Sequence, residues 1–162
     1  MYKYETHLHT KEGSACSSAP AADMARAHKA AGYDGIFVTD HFFNANTAVP
    51  RDLPWEERVD RYFLGYEHAK EVGDEIGLKV WFGCEFTVYN ADFLIYGMEK
   101  DWMKANEELL MHTDERVLFS KLRNELDCFI VHAHPFRHAS YIHHISLYPY
   151  DVDAVETINA SH

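Results

Sequence analysis

Apolar and polar positions along the chain switch between two periods. From Tyr2 to His9 they alternate with period two, which predicts a strand. From Ala21 to Ala31 they fall at helical spacing, after Pro20 and up to Gly32. Gly35-Ile36-Phe37-Val38-Thr39 reads as a short buried strand, and Pro54 to Ile76 as a long amphipathic helix stopped by Gly77. Strands follow over Leu78–Phe86 and Asp92–Tyr96, then a helix over Glu115–Leu126. Asp127–His132, with the run Cys-Phe-Ile-Val, and Val152–Ile158 complete the set as strands. Strands separated by helices predict parallel βα units with right-handed crossovers, in an open doubly wound sheet or a barrel. The glycine-rich fingerprints of dinucleotide and P-loop sites are both missing, which argues against a nucleotide-binding Rossmann or P-loop domain.

Unusual polar residues gather at the predicted strand ends. The first strand closes on Thr6-His7-Leu8-His9-Thr10, the second on Thr39-Asp40-His41, the third on Gly83-Cys84-Glu85-Phe86, and a later one on His132-Ala133-His134-Pro135. In parallel α/β folds the active site is built at that edge. Four strands therefore deliver imidazoles or a carboxylate to one rim, which no packing argument requires. Period-two geometry sends His7 and His9 to one side, where two neutral imidazoles can share an ion. The carboxylate of Glu85 can bridge two ions about 3.5–4 Å apart. Asp40 can accept a proton from a ligating imidazole and so fix its tautomer. Such mixed ligation suits Zn, Mn or Fe without choosing among them.

Composition sharpens this picture. Of 162 residues 12 are histidine, scattered in short motifs as in a folded site, where a tag would cluster them. Hydrophobic residues make up 47% and charged residues 25%, an ordinary composition for one packed domain over 1–162. The net charge of −11, without a basic run, argues against a nucleic-acid partner. No apolar run approaches the ~20 residues of a membrane span, and Met1-Tyr2-Lys3-Tyr4-Glu5 is not a signal peptide, so a cytoplasmic location is expected. Cys16, Cys84 and Cys128 form no CxxC pair and read as small buried hydrophobes.

In order and spacing these motifs, Thr6-His7-Leu8-His9-Thr10, Thr39-Asp40-His41, Glu85 and His132-Ala133-His134-Pro135, resemble the polymerase-and-histidinol-phosphatase (PHP) domain over the whole chain. The resemblance implies a distorted (βα)7-type barrel, two or three divalent ions, and hydrolysis of phosphomonoesters or phosphodiesters. It carries His7, His9, His41, Glu85 and His134 over as metal ligands, with Glu85 bridging. The chain departs from the family pattern in three places. Gly13-Ser14-Ala15-Cys16 lacks the further His or Asp of three-metal members. Tyr96-Gly97-Met98-Glu99 replaces another family histidine, leaving that role empty or passing it to Glu99. The sequence stops at Asn159-Ala160-Ser161-His162 before the family's last Asp-x-His strand, so the barrel is expected to lack its last strand unit. Its open edges would invite a partner chain, and a homo-oligomer is expected.

The residues then take roles. Arg137 is placed to hold a substrate phosphate bidentately. His132, two residues before His134, is expected on the same side as a sixth ligand or general acid. His162 reads as part of a frayed terminus, with a substitute ligand as the rival reading. His143-His144, His28, His68, His112 and Lys11 read as solvated. The mechanism expected is attack by a hydroxide held between two ions on the phosphorus of a small phosphorylated substrate. Amide or lactone hydrolysis of the amidohydrolase kind is the rival chemistry, although no bridging lysine follows a strand. A degenerate, non-catalytic metal-binding module is the rival outside enzymes.

Overall fold

The computed structural model describes residues 1–88, 91–112, 114–137 and 145–159. The elements run β1 (Tyr4–Leu8), α1 (Ala21–Ala30), β2 (Gly35–Val38), α2 (Trp55–Ile76), β3 (Lys79–Val88), β4 (Ala91–Tyr96), α3 (Lys100–Ala105), α4 (Glu107–His112), α5 (Glu115–Leu126), β5 (Phe129–Ala133) and β6 (Ala154–Val155). The six strands form one sheet in chain order. It curls into a half-barrel, so that Glu156, just past the last strand, meets His7 on the first. This mixed α/β fold is consistent with the expected distorted barrel lacking its last strand unit.

The pairing corrects the expectation of parallel units throughout. β1, β2 and β3 are parallel neighbours, but β4 runs antiparallel to both β3 and β5, and β5 pairs β6 in parallel. The physical reason is length. Val88 pairs with Ala91, so only two residues of sequence separate the strands, whereas a parallel crossover needs a dozen or more.

Punctuation sets the helix ends. Pro20 and Pro54 stand immediately before α1 and α2, and Gly77 closes α2 with φ of 70° and an N–H bonded to the Gly73 carbonyl. Asp114 caps α5 by accepting from the Arg116 N–H. The helices bury one face of the sheet in two clusters. Leu8, Ile36, Val38 and Val80 pack with Ala21 and Ala25 of α1 and Ala69 and Val72 of α2. Cys84, Phe86, Phe93, Ile95 and Ile130 pack with Val59, Tyr62 and Phe63 of α2 and Leu118, Phe119 and Leu122 of α5. Among the described residues no helix is long and apolar enough to cross a membrane.

The opposite, concave face is polar at one end and aromatic at the other. Tyr4, Phe37, Trp81 and Tyr96 contact one another there. A bulge in β1 between Glu5 and Leu8 sets the entry to the site. Tyr4 lies on the concave face and Leu8 in the helix-covered core, although strict alternation would put both on one side. The inserted residue reverses the parity, and His7 and His9 come to line the concave face.

Candidate metal centre

His7 lies on β1 and His9 just beyond it, with their Nε2 atoms 3.2 Å apart. Beyond β2 the chain keeps running alongside β3: the Glu85 N–H donates to the Asp40 carbonyl, and Phe42 N–H to the Glu85 carbonyl. These bonds set His41 directly opposite Glu85. Glu85 is not at a strand end, because pairing with β4 carries β3 on to Val88. His134 follows β5 with φ of 27°, a left-handed turn that swings it over the sheet.

Four imidazoles converge on Glu85, which is 1% exposed. Its Oε1 is 3.3 Å from His7 Nε2 and 3.2 Å from His134 Nε2; its Oε2 is 3.0 Å from His9 Nε2 and 2.7 Å from His41 Nδ1. Burial pushes the Glu85 carboxyl up, but His134, His41, His7 and His9 outweigh it and hold the group well below the usual carboxylate range. Burial pulls His7 down, yet Glu156 and Glu85 raise it to about 9.

The donor set fits divalent cations. Glu85 Oε2 and His41 Nδ1 are buried without a hydrogen-bond partner among the described residues, so their 2.7 Å approach is not a directed hydrogen bond. A buried carboxylate oxygen and a buried imidazole nitrogen left in this way are what a shared cation satisfies. Donor atoms lie within 4.8 Å of one another in four groups: His7/His9/Glu85, Glu85/Asp92/His134, His7/His134/Glu156 and His9/Cys16/His41.

Three residues of these groups escaped the sequence reading. Glu156 meets the histidines from just past β6: its Oε1 is 3.1 Å from His7 Nδ1, and its Oε2 accepts the His134 N–H at 2.8 Å. Asp92 faces the site because β4 is antiparallel, which brings the start of that strand to the rim. Its Oδ1 accepts from Thr87 Oγ1, and its Oδ2 is 3.8 Å from His134 Nε2. For the same reason Glu99, beyond the other end of β4, is exposed and takes no part. Cys16 is an exposed residue whose Sγ lies 3.2 Å from His9 Nδ1, whereas Cys84 and Cys128 are buried as expected. The sequence signals were the two-residue β3–β4 connection for Asp92 and the loop after H-x-H for Cys16. Glu156 carried none.

Two expected catalytic residues stand elsewhere. His132 pairs with Phe93 in the sheet register and stacks on its ring, on the face opposite Glu85, with Tyr148 edge-on. The turn at His134 breaks the alternation that placed both histidines together. Burial and then the neighbouring His134 lower the His132 pKa. Asp40 is 2% exposed and accepts from Thr10 N at 2.6 Å, Thr10 Oγ1 at 2.6 Å and Ser14 Oγ at 2.7 Å. Its carboxylate therefore holds the loop after β1, and among the described residues no imidazole hydrogen-bonds to it. Arg137 begins just past His134, to whose carbonyl its N–H donates. Its charge acts on the Cys16 thiol, against the burial that raises that group. Lys11 and His112 are exposed. His28 bonds to the Met24 carbonyl and His68 pairs with Glu12, both away from the cluster. His143, His144 and His162 lie outside the described residues.

α2 closes over the Asp40 network at Gly65. A Cβ there would meet Thr10 Oγ1 at 2.3 Å and Asp40 Oδ2 at 2.8 Å. Gly65→Ala gains about 1 kcal/mol of helix propensity, but overpacking against two mutually bonded groups costs about 1–3 kcal/mol. The expected outcome is a net loss of up to about 2 kcal/mol, read from the urea midpoint. A rise in that midpoint would mean that the network yields freely.

A family model described as the PHP domain matches residues 5–154. No curated protein matches the chain. Solved structures similar in fold include two that are described as phosphoesterases. One is a two-domain protein from Bacteroides vulgatus containing a predicted PHP-like metal-dependent phosphoesterase, with a TM-score of 0.68 at 15% identity over 91% of this chain and 39% of that one. The other is a candidate metal-dependent phosphoesterase from Bifidobacterium adolescentis, with a TM-score of 0.57 at 12% identity over 96% of this chain and 77% of that one. The chain thus spans about two fifths of the Bacteroides protein's length.

Proposed function

This chain belongs to the PHP domain family, and from that premise we propose that it hydrolyses a phosphate ester using divalent ions held by His7, His9, His41, Glu85 and His134, with Asp92 and Glu156. The observation that carries the reading is the convergence of four imidazoles from three separate strands on one buried carboxylate. Divalent ions bound there would supply Lewis acidity, lowering the pKa of water and offsetting charge on the phosphoryl oxygens.

The chain's own residues do the rest. Glu85 offers one oxygen to the His7–His134 side and the other to the His9–His41 side, and so serves both halves of the site. Glu156 holds the His7 ring through Nδ1 and the His134 backbone through its N–H, keeping both imidazoles turned inward. Asp40 fixes the loop after His9 and, through Ser14, the backbone of His41. Arg137 supplies positive charge at the rim for the substrate phosphate. His132, stacked on Phe93 with Tyr148 edge-on, supports β5 and does not donate the leaving-group proton.

The test loads purified protein with Zn(II), Mn(II) or Fe(II), measures metal by elemental analysis, and assays p-nitrophenyl phosphate, its bis-ester, an amide and a lactone. Two or more equivalents of metal, lost in a His9→Ala/Glu85→Ala variant, with turnover of a phosphate ester alone, is the expected result. Turnover of only the amide or lactone would favour amidohydrolase chemistry. Metal without any turnover would favour a non-catalytic module.

A further inference from the structure

We propose that Cys16 is a metal ligand, whose thiolate joins His9 and His41 in a sulfur-containing corner of the site that prefers Zn(II) to Mn(II). The proposal rests on reading the cluster as a metal centre and names the chemistry of one part of it.

Three observations carry it. Cys16 Sγ is 3.2 Å from His9 Nδ1, and the donor atoms of His9, Cys16 and His41 lie within 4.8 Å of one another. A sulfur at about 2.3 Å and a nitrogen at about 2.0 Å from one tetrahedral zinc stand about 3.5 Å apart, so the observed spacing needs a shift of only a few tenths of an ångström. The second observation is Glu85. Its Oε2, on a side chain 1% exposed, has no hydrogen-bond partner among the described residues and lies 3.0 Å from His9 Nε2 and 2.7 Å from His41 Nδ1. A buried acceptor without a donor, beside two imidazoles, calls for a cation.

The third is the loop itself. Ser14 N–H donates to the Thr10 carbonyl, Ser14 Oγ donates to Asp40 and accepts the His41 N–H, and Ala15 N–H donates to the Asn46 carbonyl. Ser17 then ties back through its N–H to the Ser14 carbonyl and through its Oγ to the His9 carbonyl. Cys16 is held on both sides, so its approach to His9 is built into the fold. His9 stands at the boundary, with Nδ1 towards Cys16 and Nε2 towards His7 and Glu85.

Thiolate is a soft ligand that favours zinc, whereas carboxylate and water suit manganese and magnesium. The His7, His134, Glu85, Asp92 and Glu156 side holds two imidazoles and three carboxylates but no sulfur. The two corners therefore differ in metal preference. Binding at the sulfur corner displaces the thiol proton.

The experiment titrates the full chain and Cys16→Ser with Co(II) and Zn(II), reading absorbance, stoichiometry and metal-free thermal unfolding. Wild type is expected to show a near-ultraviolet thiolate-to-cobalt charge-transfer band. Cys16→Ser should lose the band and bind at least tenfold less tightly at one equivalent, with unchanged metal-free unfolding. Cys84 and Cys128 remain in the variant, so loss of the band assigns it to Cys16. Co(II) binding with no band, or a band that survives in Cys16→Ser, overturns this proposal and leaves the metal centre standing. No Co(II) binding at all overturns both.

Discussion

Replacing Glu85 by glutamine is expected to lower divalent-metal affinity by more than about 100-fold, the upper end of what losing an outer-shell partner of a metal site costs, and phosphate-ester turnover with it. The size follows from where the charge sits. Four imidazole nitrogens lie 2.7–3.3 Å from the two carboxylate oxygens. Glutamine keeps the shape but carries no charge, and it turns an NH2 donor towards nitrogens that must stay free for a cation. One oxygen cannot then serve both sides. Because the change is isosteric, no cavity forms, and the effect should appear mainly in the ion-dependent part of stability. At a free-ion concentration 100 times its dissociation constant, wild type gains about 2.7 kcal/mol, or about 5–10 °C for a chain of this length. Glu85→Gln should show almost none of that rise. Calorimetric titration beside thermal scans with and without Zn(II) and Mn(II) measures both quantities. An unchanged metal-dependent rise in the variant would remove Glu85 from the centre of the site.

Much of this site could be read from the sequence because strand ends in α/β folds share a rim. His7-x-His9 ends an alternating run, Asp40-His41 and His134-Pro135 follow apolar ones, and the structure brings their histidines around Glu85. What could not be read depended on facts longer-ranged than a motif. The direction of β4 rests on a connection of two residues, and from that direction follow both the entry of Asp92 and the exclusion of Glu99. Alternation put His132 beside His134, but it holds only while the strand continues. Here the strand stops at Ala133 and the next residue has positive φ. Glu156 follows a strand of two residues and meets His7 across 149 positions of sequence, a contact that only the curl of the sheet creates. α3 and α4, six residues each, are too short to impose a period.

Asp40 divides the two kinds of information most sharply, and its removal should have the larger effect on the fold. As a sequence motif it stands beside His41 and suggests a proton acceptor for an imidazole. In the structure it is a buried anchor. Its carboxylate receives Thr10 N, Thr10 Oγ1 and Ser14 Oγ, Ser14 Oγ in turn receives the His41 N–H, and the Asp40 carbonyl accepts from Tyr62. Burial raises the carboxyl above its usual range and the Thr10 and Ser14 donors offset this only in part, so it resists becoming an exposed-type anion. Asp40→Ala strands three donors away from water at about 1–3 kcal/mol each. Such costs share one network and do not add fully, so the expected loss is about 3–5 kcal/mol, a large part of the about 5–15 kcal/mol that holds a domain together. Asp40→Asn keeps one acceptor and should lose about 1–3 kcal/mol. As the loop loosens, His9 and His41 lose their placement, and metal affinity should fall by about 10–100-fold. Urea unfolding of the metal-free proteins reads the first effect and metal titration the second. Turnover decides the role: with metal saturating, Asp40→Asn should recover most of the wild-type rate, because an anchor acts through the residues it positions. A variant that folds and binds metal normally yet hydrolyses more than about 100-fold slower would instead make Asp40 a participant in proton transfer, and the hydrogen bonds to Thr10 and Ser14 would then serve to tune that carboxylate for the reaction.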